Sequence, residues 1–182
     1  MRLFTALDLP PDVSANLTDL LRKLKPRADI TWTRPENLHI TLKFIGEFPE
    51  ERIDEMKRAL EGVPRRGAIP VSLRRVGFYP NPHSPHSFWC GIEAPGIKTL
   101  AADSDAATAT LGVEREGRSF SPHLTLARIK ERVPMQSLRE AIATLPSLEF
   151  GKFEARSFFL YRSKTGPGGS VYTKLSEFSL LS

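Results

Sequence analysis

The chain has 182 residues, 40% of them hydrophobic and 26% charged, which is typical of a globular protein long enough to bury a core. With 26 Lys and Arg against 21 Asp and Glu, its net charge is +5, and this surplus favours a polyanionic ligand, nucleic acid first. The single cysteine, Cys90, excludes an internal disulfide, no apolar run approaches membrane-spanning length, and Asp8 interrupts the N-terminal segment too early for a signal peptide. Composition therefore predicts a cytoplasmic protein that does not enter a membrane.

The pattern of apolar residues predicts a mixture of helices and strands. A helix at residues 12–24 is the clearest element, because Val13, Leu17 and Leu21 recur at helical spacing. In chain order, the predicted elements are a strand at 2–9, a helix at 12–24, strands at 30–33 and 38–44, a helix at 49–63, strands at 69–79 and 87–93, a helix at 97–111, a strand at 123–126, a helix at 135–145, a strand at 150–153, and a hairpin of strands 157–162 and 171–178.

Two loops carry residue types that invite a functional interpretation. Residues 80–86 contain three prolines and two histidines, His83 and His86, which we interpret as surface residues of an irregular loop, with RNA contact as the alternative if that loop borders the cleft. The glycine-rich residues 166–169 suggest a phosphate-binding loop, but neither a Gly-Lys-Ser/Thr ending nor a helix follows them. They therefore predict the turn of the C-terminal hairpin.

A short sequence that occurs twice is the most informative feature of the chain. Leu38-His39-Ile40-Thr41-Leu42 and Pro122-His123-Leu124-Thr125-Leu126 each place a histidine two residues before a threonine. The two histidines are 84 residues apart, and a strand and a helix are predicted before each of them. This weak internal repeat predicts two similar lobes, with one motif strand of each lining the cleft between them. No linker marks a domain boundary.

Strand geometry assigns the residues of each motif to faces, because alternate side chains of a strand leave by opposite sides. The histidine, the threonine and, in the first copy, a lysine are predicted to share one face: His39, Thr41 and Lys43, and His123 and Thr125. By the same count, Phe44 leaves by the face opposite His39, and Arg128 leaves by the face opposite His123.

Three interpretations of the paired histidines compete. A structural role is common for a single histidine, but it leaves the matched threonines unexplained. A metal site normally needs three or four ligands, and neither strand carries a Cys, Asp or Glu in register. In the third interpretation the histidines are an acid–base pair, because imidazole has a pKa near 6.5 and one ring can hold a proton while the other lacks one. With Thr41 and Thr125 as donors to phosphate oxygens, this interpretation predicts phosphoryl chemistry without a metal.

The sequence around the motifs resembles the 2H phosphoesterase superfamily and, within it, the bacterial and archaeal RNA 2′,3′-cyclic phosphodiesterases, also called 2′-5′ RNA ligases. The similar segments are RLFTAL at 2–7, NLHITLKFIG at 37–46, FSPHLTLAR at 120–128 and LYRS at 160–163, in order along nearly the whole chain. The resemblance implies an α+β, bilobal fold in which two pseudo-twofold related lobes, each of antiparallel sheet plus helices, surround a central cleft. Residues 1–182 would then form a single domain.

The resemblance also implies a reaction and roles for named residues. It implies hydrolysis of the 2′,3′-cyclic phosphate end of RNA to a 2′-phosphate without a cofactor, with weak reverse ligation to a 5′-hydroxyl; we expect a monomer. His39 corresponds to the family's proton donor and His123 to its proton acceptor, although the near-symmetry of the motifs does not itself decide between them. Lys43 and Arg128 fall where the family carries basic residues, so both are predicted, with the motif threonines, to bind substrate.

Other residues are candidates for RNA contact. Trp32 and Phe120 can stack on a base, although such aromatics are more often core residues. The arginine pairs at 65–66 and 74–75 are candidate contacts to the phosphate backbone, with a solvated face as the alternative.

Two rival functions stay open on the sequence. One is a non-catalytic module whose basic cleft binds nucleotides or RNA ends, and it predicts binding without turnover. The other is a related phosphodiesterase acting on small cyclic nucleotides or 2′-5′ oligonucleotides, and it predicts a different dependence on substrate length.

Overall fold

The computed structural model describes all residues from Met1 to Ser182 and contains two antiparallel sheets and four α-helices. In chain order, the elements are β1 (Arg2–Leu7), α1 (Pro11–Leu24), β2 (Thr31–Trp32), β3 (Ile40–Glu47), α2 (Ile53–Glu61), β4 (Ile69–Tyr79), β5 (Ser87–Glu93), α3 (Ile97–Ala109), β6 (His123–Arg128), α4 (Gln136–Ala143), β7 (Glu149–Ala155), β8 (Ser157–Gly166) and β9 (Gly169–Ser179). Every predicted element is present, and β4 and β5 have the predicted bounds. Residues 50–52 form a short 3-10 turn before α2, within the segment predicted as one helix.

The two motif strands lie in different sheets. Sheet A has the strand order β3-β1-β8-β9, and sheet B has the order β2-β6-β5-β4-β7. All strand pairs in both sheets are antiparallel. The first motif therefore enters sheet A through β3, and the second enters sheet B through β6.

Helices cover one face of each sheet, which we call the back face. Helix α3 packs against β3, and α2 packs against α3 and β9, so both cover sheet A. Helix α1 follows a strand of sheet A but packs against β7 of sheet B, and α4 packs against α1. The five buried residues of α1 have the helical spacing read from the sequence, and they are Val13, Leu17, Leu20, Leu21 and Leu24. We call the other face of each sheet the cleft face.

Strand β1 lies in the middle of sheet A, between β3 and β8, and every residue from Leu3 to Leu7 is buried. A strand buried on both faces needs apolar side chains at successive positions, which explains why Thr5 is the only polar residue between Leu3 and Leu7. On the cleft face, the ring of Phe4 stacks on Tyr161 and meets the edge of Tyr172. Sheet A therefore presents a largely aromatic surface to the cleft.

The C-terminal hairpin has the predicted turn. Strands β8 and β9 pair along their whole length as far as Gly166 and Gly169, so residues 167–168 form a two-residue turn. Gly169 has a φ of +111°, a backbone conformation that glycine adopts without strain. The glycine-rich segment is therefore a hairpin turn. No helix of the protein has the length and apolarity needed to span a membrane.

Candidate active site

The backbone holds the two motif imidazoles in the same way. Nδ1 of His39 lies 2.6 Å from the carbonyl oxygen of Asn37, and Nδ1 of His123 lies 2.8 Å from the carbonyl oxygen of Ser121. Because a carbonyl only accepts, each Nδ1 must carry a hydrogen and donate it. A neutral ring held this way offers the lone pair of Nε2, and a protonated ring offers an Nε2–H.

The motif threonines share the faces of their histidines, as the alternation predicted. Nε2 of His39 lies 2.8 Å from the hydroxyl oxygen of Thr41. In sheet B, Thr125 is paired directly with Trp89 of β5, and His123 is paired with Gly91. Directly opposed residues share a face, so Thr125 and His123 lie on the same side of β6.

The two histidines differ in exposure. His39 is half-buried, with its ring centroid 4.9 Å from that of Phe4 and 5.2 Å from that of Tyr172, whereas His123 is exposed. Burial lowers the pKa of His39 below 6.5, and the positive charge of Arg128 lowers it further. The hydrogen bond to Asn37 and the negative charge of Asp8 act in the opposite direction without reversing the shift.

A β-bulge brings Arg128 to the cleft face of sheet B. Thr125 pairs with Trp89, but Ala127 pairs with Phe88, so β6 has one extra residue at Leu126. Such an extra residue reverses the alternation beyond it. Arg128, which is exposed and paired with Ser87, therefore returns to the face of Thr125. The prediction that Arg128 leaves by the face opposite His123 is wrong for this reason.

A second bulge turns Lys43 away from the cleft. Ala6 pairs with Thr41 and Thr5 pairs with Lys43, so β3 has its extra residue at Leu42. The side chain of Lys43 is 6% exposed on the back face, where its Nζ lies 2.8 Å from a carboxylate oxygen of Asp105.

The environment of Lys43 is that of a structural ion pair. Its Nζ also donates to the carbonyl oxygen of Glu114 at 2.7 Å. Burial by itself would raise the pKa of Asp105, but hydrogen bonds from Lys43, the Glu116 backbone N–H and Arg115 outweigh burial and lower that pKa to about 2. The predicted cleft position of Lys43 is therefore wrong, and its side chain lies where no substrate in the cleft meets it.

The same bulge moves Phe44 in the opposite direction. Phe44 pairs with Phe4, a cleft-face residue, and 66% of its surface is exposed. The strand alternation had placed Phe44 opposite His39, so this prediction is also wrong. Both errors have one cause, because the count of alternating faces fails after an inserted residue.

The aromatic residues and arginines considered for RNA contact pack against the core or form ion pairs. Trp32 meets the edge of Phe88, and its indole N–H donates to the carbonyl oxygen of Ala28 at 3.1 Å. Phe120 packs against the hydrophobic core. Trp32 also packs against the core, so both aromatics follow the alternative given for them, that of core residues. The four candidate arginines all form ion pairs with carboxylates: Arg65 with Glu61, Arg66 with Asp103, Arg74 with Glu93 and Glu149, and Arg75 with Glu93.

Trp89 lies on the cleft face beside the second motif and was not identified from the sequence. It is half-buried, opposite Thr125 on one side and Gly77 on the other. A Cβ at Gly77 would lie 2.4 Å from the indole ring, so the ring lies across a strip of sheet that has no side chain. The sequence alone does not reveal this arrangement, because Gly77 and Trp89 become neighbours only when β4 pairs with β5.

Asp8 is the other residue near the site that the sequence did not indicate. It follows β1 directly, and its carboxylate accepts hydrogen bonds from the hydroxyl of Tyr161 and, at 2.5 Å, from Nζ of Lys174. Burial and the carboxylate of Asp8 raise the pKa of Tyr161, so this hydroxyl keeps its proton. No group of three or more His, Cys, Asp or Glu side chains has the geometry of a metal site.

Comparisons with known proteins agree with this geometry. The family model described as "LigT like Phosphoesterase" matches residues 7–89 and 92–172. Relatives named RNA 2′,3′-cyclic phosphodiesterase occur in Archaeoglobus fulgidus, with 34% identity over 98% of the chain and 99% of the relative, and in Thermus thermophilus, with 35% identity over 99% of the chain and 90% of the relative. The crystal structure of TT0787 of Thermus thermophilus superposes with a TM-score of 0.82 at 33% identity, and it covers 99% of the chain and 98% of that protein.

Proposed function

The chain belongs to the LigT-like phosphoesterase family, and on this basis we propose that it hydrolyses the 2′,3′-cyclic phosphate at the end of an RNA strand to a 2′-phosphate. The relatives that carry this activity in their names match nearly the whole chain. The structural observation that carries the proposal is the pair of imidazoles, one at the start of each motif strand. Both are oriented by an Nδ1–H bond to a backbone carbonyl.

In the proposed reaction the two histidines move protons in opposite directions. Nε2 of His123 takes a proton from a water molecule while the water oxygen attacks phosphorus. The bond between phosphorus and the ribose 3′ oxygen breaks, and Nε2–H of His39 gives its proton to that oxygen. The product is a 2′-phosphate and a 3′-hydroxyl, and proton exchange with solvent restores both rings. Attack by a 5′-hydroxyl in place of water would give the weaker ligation.

The exposure of the two rings supports this assignment. His123 is exposed, so solvent water reaches its Nε2. His39 is half-buried and its pKa is lowered, so in the free protein it needs help to hold the proton that an acid must donate. A phosphate anion bound beside the ring supplies this help, because a nearby negative charge favours the imidazolium. Substrate binding and protonation of His39 are therefore coupled in the proposal.

Three further residues of the cleft face are suited to hold the phosphate. Thr41 and Thr125 offer hydroxyl donors from the motif strands, and Arg128 offers a guanidinium from the end of β6. Donors placed around the equatorial oxygens stabilise the charge that spreads over them in the transition state. Lys43 has no part in this group, because it is buried against Asp105.

Trp89 is suited to hold the nucleoside next to that phosphate. The indole lies beside Thr125 on the cleft face, and Gly77 lets it lie flat on the sheet. An aromatic ring in this position binds any base by stacking, which contributes about 1–3 kcal/mol per base. We therefore propose a site that recognises the cyclic phosphate of the RNA end and discriminates little between different terminal bases.

The experiment that tests the proposal is hydrolysis of a 2′,3′-cyclic mononucleotide in EDTA by the wild type, His39→Ala and His123→Ala. A general acid or base contributes about 10²–10⁴-fold, so each variant should lose nearly all turnover. Arg66→Ala is the control, because this exposed side chain pairs with Asp103 outside the cleft. Full activity in either histidine variant would refute the mechanism, and binding without any turnover by the wild type would favour a non-catalytic module.

The proposal includes a setting for the enzyme. Cys90 is free and buried, and burial raises its pKa to about 12, so it is not a reactive thiolate. We place the protein in the reducing cytoplasm and expect it to act as a monomer. Size-exclusion chromatography coupled to light scattering tests the second expectation.

A further inference from the structure

A basic cavity lies at the end of β6, beyond Arg128. It has a volume of about 450 Å³ and lies between the loop before β5, the segment that follows β6, and α4. Its basic side chains are His83, His86, Lys130, Arg132 and Arg139, and its one acidic side chain is Glu131. The cavity lining includes neither the histidine nor the threonine of either motif, so the cavity is separate from the proposed catalytic residues.

The permanent cations of the cavity outnumber its one carboxylate by three to one. Lys130, Arg132 and Arg139 form no ion pair, unlike the paired arginines at 65–66 and 74–75. Arg139 instead donates a hydrogen bond to the carbonyl oxygen of Pro82, which ties α4 to the proline loop. A surplus of cations in a concave surface concentrates anions there.

The cavity begins directly after the last residue of β6. The backbone N–H of Ile129 donates to the carbonyl oxygen of His86, so the pairing of β5 and β6 extends one residue past Arg128. Ile129 packs against the core, and the next residue, Lys130, lines the cavity. Arg128 thus connects the two regions: its charge acts on His39, and the cavity wall begins immediately after it.

The length of β6 sets which ligand can reach both regions. At about 3.3 Å per residue, Lys130 lies roughly 20 Å along the strand from His123. One nucleotide is shorter than this distance, whereas a single-stranded oligonucleotide is long enough. Single-stranded nucleic acids commonly follow a positively charged groove past aromatic side chains, and Trp89 and Arg128 lie on the intervening surface.

We propose that this cavity binds a backbone phosphate of the RNA strand several nucleotides before the cyclic end, so that the enzyme acts on oligonucleotides in preference to cyclic mononucleotides. The inference rests on the proposed function, because it places the cyclic end at the two histidines. The cavity would contribute to substrate binding and not to the chemical step.

The test compares kcat/KM for a 2′,3′-cyclic mononucleotide with kcat/KM for an oligoribonucleotide of six nucleotides that has the same cyclic end. We expect the hexamer to be preferred, and Arg132→Glu to reduce the hexamer-to-mononucleotide ratio at least tenfold. Lys152→Glu changes the net charge equally at the opposite edge of sheet B and should keep the wild-type ratio. The hexamer preference of the wild type should also fall with salt concentration, because phosphate contacts release counterions.

The outcomes separate this inference from the proposed function. If the wild type hydrolyses the mononucleotide and the hexamer equally well, or if Arg132→Glu leaves the ratio unchanged, the cavity is not an RNA subsite although the enzyme is a cyclic phosphodiesterase. If the wild type hydrolyses neither substrate, the proposed function itself fails.

Discussion

The ammonium of Lys43 lies 2.8 Å from the carboxylate of Asp105, on the side of sheet A that faces away from the cleft. Lys43 is only four residues after His39, and yet its ion-pair partner, Asp105, lies in helix α3 on the back face of the sheet. The pair therefore stabilises the fold and takes no part in the reaction. Substitutions in it should change stability and leave the activity of the folded protein unchanged.

We predict that Asp105→Asn destabilises the protein by about 3–5 kcal/mol, because it leaves the charge of Lys43 buried without a counter-charge. Lys43→Met should cost less and should keep hydrolysis of a cyclic mononucleotide near the wild-type rate. Urea denaturation measures the first effect and initial rates measure the second. A loss of activity in folded Lys43→Met comparable to that of His39→Ala would place Lys43 back in the site.

The same pair predicts how stability depends on acid. The folded pKa of Asp105 is about 2, below its ordinary value of 3.8, so the folded state favours the carboxylate. Its contribution is present above pH 3.8 and is lost as the pH falls toward 2. Between these values, the free energy of unfolding should decrease less steeply for Asp105→Asn than for the wild type. Parallel curves for the two proteins would contradict the assignment.

The titration of His39 should respond in opposite directions to two neighbouring charges. Its pKa lies below 6.5 because of burial, with a further decrease from Arg128 and an increase from Asp8. Arg128→Gln should therefore raise the pKa of His39, and Asp8→Asn should lower it. NMR titration of the imidazole resonances measures both shifts. Inorganic phosphate should raise this pKa in the wild type, and a pKa that does not respond to either substitution would separate Arg128 from the site.

The nucleoside contact can be tested from both sides of the indole. Trp89→Ala should reduce kcat/KM by about 5- to 150-fold, which corresponds to 1–3 kcal/mol of stacking, and Trp89→Phe should restore much of the loss. Gly77→Ala should have a similar effect, because the added Cβ would lie 2.4 Å from the indole ring and displace it. Wild-type kinetics in Gly77→Ala, with a folded protein, would show that the position of the ring does not matter.

The threonines should matter less than the histidines. Thr41→Val and Thr125→Val each remove one donor to a charged phosphate, worth about 1.5 kcal/mol or roughly tenfold in kcat/KM. Serine at either position keeps the hydroxyl and should restore most of the activity. If Thr125→Val reduces kcat/KM as much as His123→Ala does, Thr125 has a role beyond phosphate binding.

The sequence predicted correctly those elements whose own pattern of apolar residues matches their burial in the fold. Helix α1 has its apolar residues at one spacing, and β4 and β5 have clear ends, so these elements are where they were expected. The shared face of His39 and Thr41 also follows from neighbouring residues alone, since no inserted residue separates them.

The errors arise where pairing with a distant strand decides the outcome. The extra residues at Leu42 and Leu126 are recognisable only against β1 and β5, because nothing in the strand's own sequence marks them. The partner of Lys43 is in α3, and the strip beneath Trp89 comes from β4, so neither contact has a local signal.

The bulge in β6 has a consequence for the study of related proteins. Whether an arginine at the end of this strand reaches the phosphate depends on the number of residues between it and the histidine, and not on its presence alone. Deleting Leu126 would keep every charged residue of the chain and still swing the guanidinium of Arg128 into the helical layer. The number of residues in β6 therefore decides whether Arg128 lies on the cleft face. A relative whose strand is one residue shorter would need a different cation to contact the phosphate.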